Sequence, residues 1–169
     1  MARKLPGVPI LVSADRNASV NTVLDQNSAD VIILDDAMQH RQCPRDIDIV
    51  VIDELNPWGN GWMIPAGPLR EPLQSLKRAD AIVLSRCDQA EDPDALEEQI
   101  RHWSDAPVFR SFHQPDQWFD IRKQSTLPLI KGEKRFVYTF AGIGNPATFQ
   151  MTINHLGMEV LFFKRFHYH

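Results

Sequence analysis

The sequence predicts an α/β fold with a mainly parallel sheet and flanking helices, and three features of its 169 residues point there. Short apolar runs recur along the chain, segments with apolar residues at helical spacing separate them, and Gly, Pro, Asn and Asp mark the joins. An apolar run bounded by polar residues is the pattern of a buried strand, and its alternation with helical segments is the βαβ signature.

The expected strands cover residues 9–13, 30–34, 47–53, 79–85, 108–112, 135–141 and 158–163. After the first, Val20, Val23 and Leu24 lie at helical spacing, and Leu73 and Leu76 repeat it. Residues 93–103 add a helix with Pro93 in its first turn, where the N–H has no partner to lose. Asn145 and Pro146 form an N-cap and N1 pair, and Gly157 is placed to end the helix they start. Residues 56–72, rich in Gly, Pro and Trp, read as a long irregular loop of the kind that carries function. Residues 113–134 show no clear period apart from one strand at about 118–121.

Composition is that of an ordinary globular domain. A net charge of −4 and a pI near 5.8 leave no electrostatic footprint for nucleic acid. Basic residues are nevertheless bunched at Arg70 and at the Lys77, Arg78 pair, which keeps a local anion site open. Cys43 and Cys87 lack metal-type spacing and read as reduced thiols of a cytoplasmic protein. No stretch approaches the ~18 to 20 apolar residues of a membrane span. Pro6, Gly7 and Pro9 interrupt the one amino-terminal patch that resembles a signal peptide.

The chemistry concentrates in residues 31–41, VIILDDAMQHR. Acids at the end of a parallel strand project into the crevice where α/β sheets bind ligands. Adjacent carboxylates repel each other, and Mg²⁺ shared with phosphate oxygens relieves that. Asp35 and Asp36 are therefore candidate metal ligands, with a solvated turn and helix cap as the plain alternative. No GxxxxGK[ST] phosphate loop is present in the sequence. Gly142-Ile-Gly144 after a strand reads as a tight strand-to-helix turn, since the third glycine of a dinucleotide fingerprint is missing.

The order of motifs is more specific than any one of them: DDAMQHR (35–41), RDIDIVVID (45–53), GNGWMIPAGPLREPLQSLKRADAIVLSR (59–86) and FAGIGNPATF (140–149). This succession resembles the central part of the tetraacyldisaccharide 4'-kinases, which phosphorylate the lipid A precursor at the cytosolic face of the Gram-negative inner membrane. The resemblance implies a P-loop NTPase-like fold, here incomplete at both ends: the family's membrane-associating helix, P-loop and GDEP-type acidic motif would precede Met1, and more chain would follow His169. Residues 1–112 would be the core of the kinase domain without its P-loop, and 113–169 would lead toward the carboxy-terminal region.

Residue by residue, the resemblance implies that Asp35 and Asp36 are the Walker B acids that hold Mg²⁺ near ATP. Gln39, His40 and Arg41 match the family and either contact the nucleotide or hold the turn. Ala37 and Met38 stand where the family has Gly and Phe, and a positive φ at Ala37 would cost about 1 kcal/mol. Arg70 and Glu71 of the REP motif are candidate catalytic residues: the arginine would grip phosphate, the glutamate would orient it or help hold the metal, and helix capping is the alternative. Lys77 and Arg78 either contact an anionic lipid or, the favoured reading, line a solvated helix face. His169, or His167 two residues earlier, would be the histidine that deprotonates the sugar hydroxyl.

The implied reaction moves the γ-phosphoryl group of ATP to the 4' hydroxyl of a tetraacylated glucosamine disaccharide, with Mg²⁺ and peripheral membrane contact. Trp58 and Trp62 are candidate lipid-touching residues. Phosphoryl transfer depends on positioning and charge neutralisation, so a chain without a P-loop is expected to be a fragment with little activity alone. Two alternatives compete: a metal-dependent phosphohydrolase using Asp35, Asp36 and His40, and a non-catalytic α/β binding module.

Overall fold

The computed structural model describes residues 5, 7–26, 29–90, 92–129, 135–143 and 145–166. Two compact units result, Met1–Phe112 and His113–His169.

In the first unit, helix α1 (Arg16–Asp25) starts where the Asp15 carboxylate accepts the Ala18 N–H at 3.1 Å. Three parallel strands follow: β1 (Ile49–Asp53), β2 (Ala81–Ser85) and β3 (Val108–Arg110), in the order β1-β2-β3. A 3-10 helix, Leu73–Arg78, leads into β2. Helix α2 (Pro93–Arg101) connects β2 to β3, with Asp92 as its N-cap and Pro93 at its start. Side chains alternate across a strand. The Ile52, Ile82 and Leu84 face therefore packs against Leu76, Leu96 and Ile100, and Ile82, Leu84 and Ile100 are fully buried. The opposite face carries Ile49, Val51 and Phe109, each more than half exposed.

Two expected strands do not form. Residues 9–13 and 30–34 run without a ladder partner, and Val12, Val31 and Ile33 are 96%, 75% and 89% exposed. An apolar run has strand composition, but a strand also needs a neighbour for its N–H and C=O groups and a layer to cover it. Among the described residues the free edge of β1 takes neither segment, and the 3-10 helix and α2 pack on the sheet face that carries Ile52, Ile82 and Leu84.

In the second unit, β6 (Arg135–Ala141) and β7 (Met158–Arg165) pair in parallel through helix α3 (Pro146–His155). The Asn145 side chain caps that helix at the Thr148 N–H, and Gly157 follows it at φ 83°, where a side chain would be strained. Ile153, Leu156 and Met158 form the core, flanked by Val137, Phe149 and Val160. The segment near 118–121 forms β4 (Gln117–Asp120), paired antiparallel with an unexpected β5 (Ser125–Pro128). All of β5 is exposed, so it carries no burial alternation for a sequence reading to detect.

Candidate functional site

Asp35 and Asp36 lie in a turn, exposed, directly after the unpaired run at 31–34. No sheet end positions them, which corrects the expectation of a strand-end crevice. Arginines do the positioning instead. Arg16 donates to the Asp36 carbonyl at 3.0 Å, and Arg70 donates from Nη1 to the Asp36 carboxylate at 2.5 Å. The structure thus brings together two predicted site residues 34 apart in sequence. Both side chains are more than half exposed, so the pair is worth little to stability and stays open to exchange with another ligand.

The left-handed conformation in this loop falls on Asp36, with φ 50°, and not on Ala37. Asp tolerates that region better than most residues. Ala37 is buried, so its methyl packs where glycine would leave a gap.

Glu71 turns away from Arg70 and pairs with Arg78, whose Nη2 lies 2.7 Å from Oε2 and also donates to the Met38 carbonyl at 3.3 Å. The Arg78 side chain is only 21% exposed, which corrects the solvated-face reading. Burial pushes the Glu71 carboxyl up, but the hydrogen bonds from Ser75 and Arg78 and the charges of Arg78 and Arg41 outweigh it and leave it below the usual range. Lys77 is exposed.

Gln39, His40 and Arg41 hold the turn through their backbones. The His40 N–H donates to the Ala37 carbonyl at 2.9 Å, the Arg41 N–H to Gln39 at 3.0 Å, and the Cys43 N–H to His40 at 3.0 Å. Their side chains are exposed. Among the described residues, no group of three or more His, Cys, Asp or Glu can hold a metal, so Asp35, Asp36 and His40 do not form the hydrolase-type site considered as an alternative. His167 and His169 lie outside the described residues.

The loop at 56–72 closes on itself. Ile64 N–H donates to Leu69 at 2.9 Å, Leu69 N–H to Trp62 at 3.2 Å, and the Asn60 amide to Ala66 at 2.9 Å. A Cβ on Gly67 would meet the Asn60 amide oxygen and the Trp62 carbonyl, so only glycine lets the two arms approach. Trp62, Met63 and Ile64 are exposed, whereas the Trp58 indole packs against the core and donates to Gln99 at 3.2 Å. Trp58 is therefore not a lipid-facing residue.

Sequence reasoning missed two features. Arg45 opens the RDIDIVVID run between the acidic loop and β1, and an Arg with Asp three residues on was the sign of its pairing. At the carboxyl ends of β1 and β2, Arg86 pairs with Asp53 and buried Glu54 accepts from the Cys87 thiol at 3.8 Å. Burial, then the Glu54 charge, pushes the Cys87 thiol up, and burial pushes the Glu54 carboxyl up.

Comparison with known proteins gives a consistent result. The family model described as tetraacyldisaccharide-1-P 4'-kinase, LpxK, matches residues 1–169. The tetraacyldisaccharide 4'-kinase of Syntrophus aciditrophicus (strain SB) is 37% identical over 96% of this chain and 46% of its own length. That of Anaeromyxobacter sp. (strain K) is 39% identical over 98% of this chain and 44% of its own. A crystal structure of the "apo" form of LpxK from Aquifex aeolicus in complex with ATP superimposes with a TM-score of 0.62, at 28% identity, over 88% of this chain and 44% of that one. The chain thus spans less than half the length of these relatives.

Proposed function

Because the chain belongs to the tetraacyldisaccharide-1-P 4'-kinase family, we propose that it supplies the acidic, cation-holding side of a site that transfers the ATP γ-phosphoryl group to the 4' hydroxyl of a tetraacylated glucosamine disaccharide. The observation that carries this reading is the meeting of Asp36 with Arg70 at 2.5 Å in an exposed loop. A carboxylate paired with an exposed guanidinium offers one group to a cation and one to phosphate.

The donor set fits Mg²⁺ shared with a nucleotide. Mg²⁺ is held by one or two carboxylates, with phosphate oxygens and waters completing its shell. Asp35 and Asp36 supply two acids, and no all-protein cage exists among the described residues. When bound, Mg²⁺ neutralises charge on the phosphate oxygens of ATP. Arg70 leaves Asp36 to hold a phosphate oxygen, and Glu71, tied to Arg78 and below its usual carboxyl range, stays charged and keeps Arg78 on the Met38 carbonyl. In the transfer, the bond from the γ-phosphorus to the ADP oxygen breaks as a bond to the sugar oxygen forms. The hydroxyl proton passes to His169, or to His167. Gln39, His40 and Arg41 keep the acidic turn closed. We place the reaction at the cytosolic face of the inner membrane, with Trp62, Met63 and Ile64 as the apolar contact; no helix among the described residues is long and apolar enough to cross a membrane.

Mn²⁺ in place of Mg²⁺ tests the assignment, because it broadens NMR signals of nearby amides. Broadening should centre on Asp35, Asp36 and Arg70, tighten when ATP is added, and vanish in Asp36→Asn. Broadening centred elsewhere, or unchanged by that substitution, would refute it.

A further inference from the structure

We infer that Arg45 is a positioning residue that sets the backbone conformation in which Asp35 and Asp36 are presented; the functional half of this inference rests on their reading as the cation site. Residues 35–43 form neither strand nor helix, so their carbonyls have no ladder. Arg45 collects them. Its Nη1 donates to the carbonyls of Ala37 at 3.1 Å, His40 at 2.9 Å and Cys43 at 3.5 Å, and its Nη2 donates to Met38 at 3.2 Å.

The other side of the guanidinium is anchored to the sheet. Nε lies 2.6 Å from the Asp48 carboxylate in an ion pair whose N–H is not aimed at the oxygen, and these side chains are only 16% and 21% exposed. Asp48 is fixed in turn: its N–H donates to the Asp80 carboxylate at 2.7 Å, and its carbonyl accepts from Asp80 and Ala81, where β2 begins. A continuous path therefore runs from the sheet through Asp48 and Arg45 to four carbonyls of the acidic loop.

That path braces an unfavourable turn. Asp36 holds φ 50°, a left-handed conformation that Asp accepts more readily than most residues but still less readily than glycine, so contacts that fix the loop favour it. Only a planar guanidinium, with donors diverging from one plane, can meet an acid on one side and several carbonyls on the other; a lysine ammonium offers one point.

Arg45→Ala, Arg45→Lys and Asp48→Asn in the 169-residue chain test the inference with two readouts. One is hydrogen exchange of the His40 and Cys43 amides, which close the loop, against the Ile82 amide in β2. The other is Mn²⁺ affinity from broadening at Asp36. Arg45→Ala should speed exchange at His40 and Cys43 relative to Ile82, and weaken Mn²⁺, each by about tenfold or more, as expected for loss of several charge-assisted hydrogen bonds. Arg45→Lys should recover only part of both, and Asp48→Asn should fall between. Should Arg45→Ala also open Ile82, the two milder variants decide. Wild-type loop exchange in Arg45→Ala would overturn the inference, and so would faster loop exchange with unchanged Mn²⁺ affinity. Absence of any Asp36-dependent Mn²⁺ signal in the wild type would refute the cation reading, and loop exchange alone would then decide whether Arg45 sets the conformation.

Discussion

Arg78 separates a structural reading of the REP region from a surface one. Truncating it by Arg78→Ala removes the donor 2.7 Å from the Glu71 carboxylate and the donor 3.3 Å from the Met38 carbonyl. Glu71 is only 22% exposed on its side chain, so water replaces the lost cation incompletely. A hydrogen bond to a charged group is worth about 1.5–3 kcal/mol, and the retained Ser75 contact puts the expected loss near 2 kcal/mol. Arg101→Ala provides the control. Its Arg101–Glu97 pair has the same 2.7 Å separation, but Arg101 is 69% exposed, so about 0.3–0.5 kcal/mol is expected. Urea unfolding followed at the Ile82 and Leu84 amides reads the first unit alone. Because the native Glu71 carboxyl is depressed, its stabilisation is present above the unfolded carboxyl range and is lost as pH falls through the native value. The Arg78→Ala deficit should therefore shrink in acid. A loss under about 0.5 kcal/mol at neutral pH would refute the reasoning.

Three further outcomes follow from the same geometry. Gly67→Ala should cost about 2 kcal/mol in the same urea experiment, because its Cβ would sit 2.8 Å from the Trp62 carbonyl carbon; a neutral result would mean the 56–72 loop is not closed. Ile100→Ala, at a fully buried site, should cost about 3 kcal/mol, while Val51→Ala, at 66% exposure, should stay within about 0.5. Equal losses at the two positions would contradict the assignment of a single packed sheet face. Glu54→Gln should raise the melting temperature at pH 8 and lose that advantage toward pH 4. Burial raises the Glu54 carboxyl, so its cost is fully present above the native value and absent below the unfolded one.

Strand and helix signals read well from the sequence where local chemistry decides them. The Asn145-Pro146 start, the Gly157 stop and the Pro93 start are set within a few residues, and each is present in the fold. Signals that depend on a distant partner read less well. Val31–Leu34 has strand composition but no neighbour, and fully exposed β5 gives no periodicity. At the site, the types of Asp36 and Arg70 pointed to cation and phosphate chemistry, but their meeting across 34 residues is a property of the fold. Arg45 and Arg78 were harder still: a buried arginine and a solvated one have the same letter, and only the carbonyls around them show the difference.

Phosphoryl transfer by a chimera tests the central claim most directly. In it, this chain replaces the matched segment of the tetraacyldisaccharide 4'-kinase of Anaeromyxobacter sp. (strain K), to which it is 39% identical. With γ-labelled ATP and tetraacyldisaccharide 1-phosphate, the chimera should label the lipid, and Asp36→Asn within it should slow labelling by about a hundredfold or more. A chimera that labels the lipid equally fast with Asn at position 36 would contradict the account.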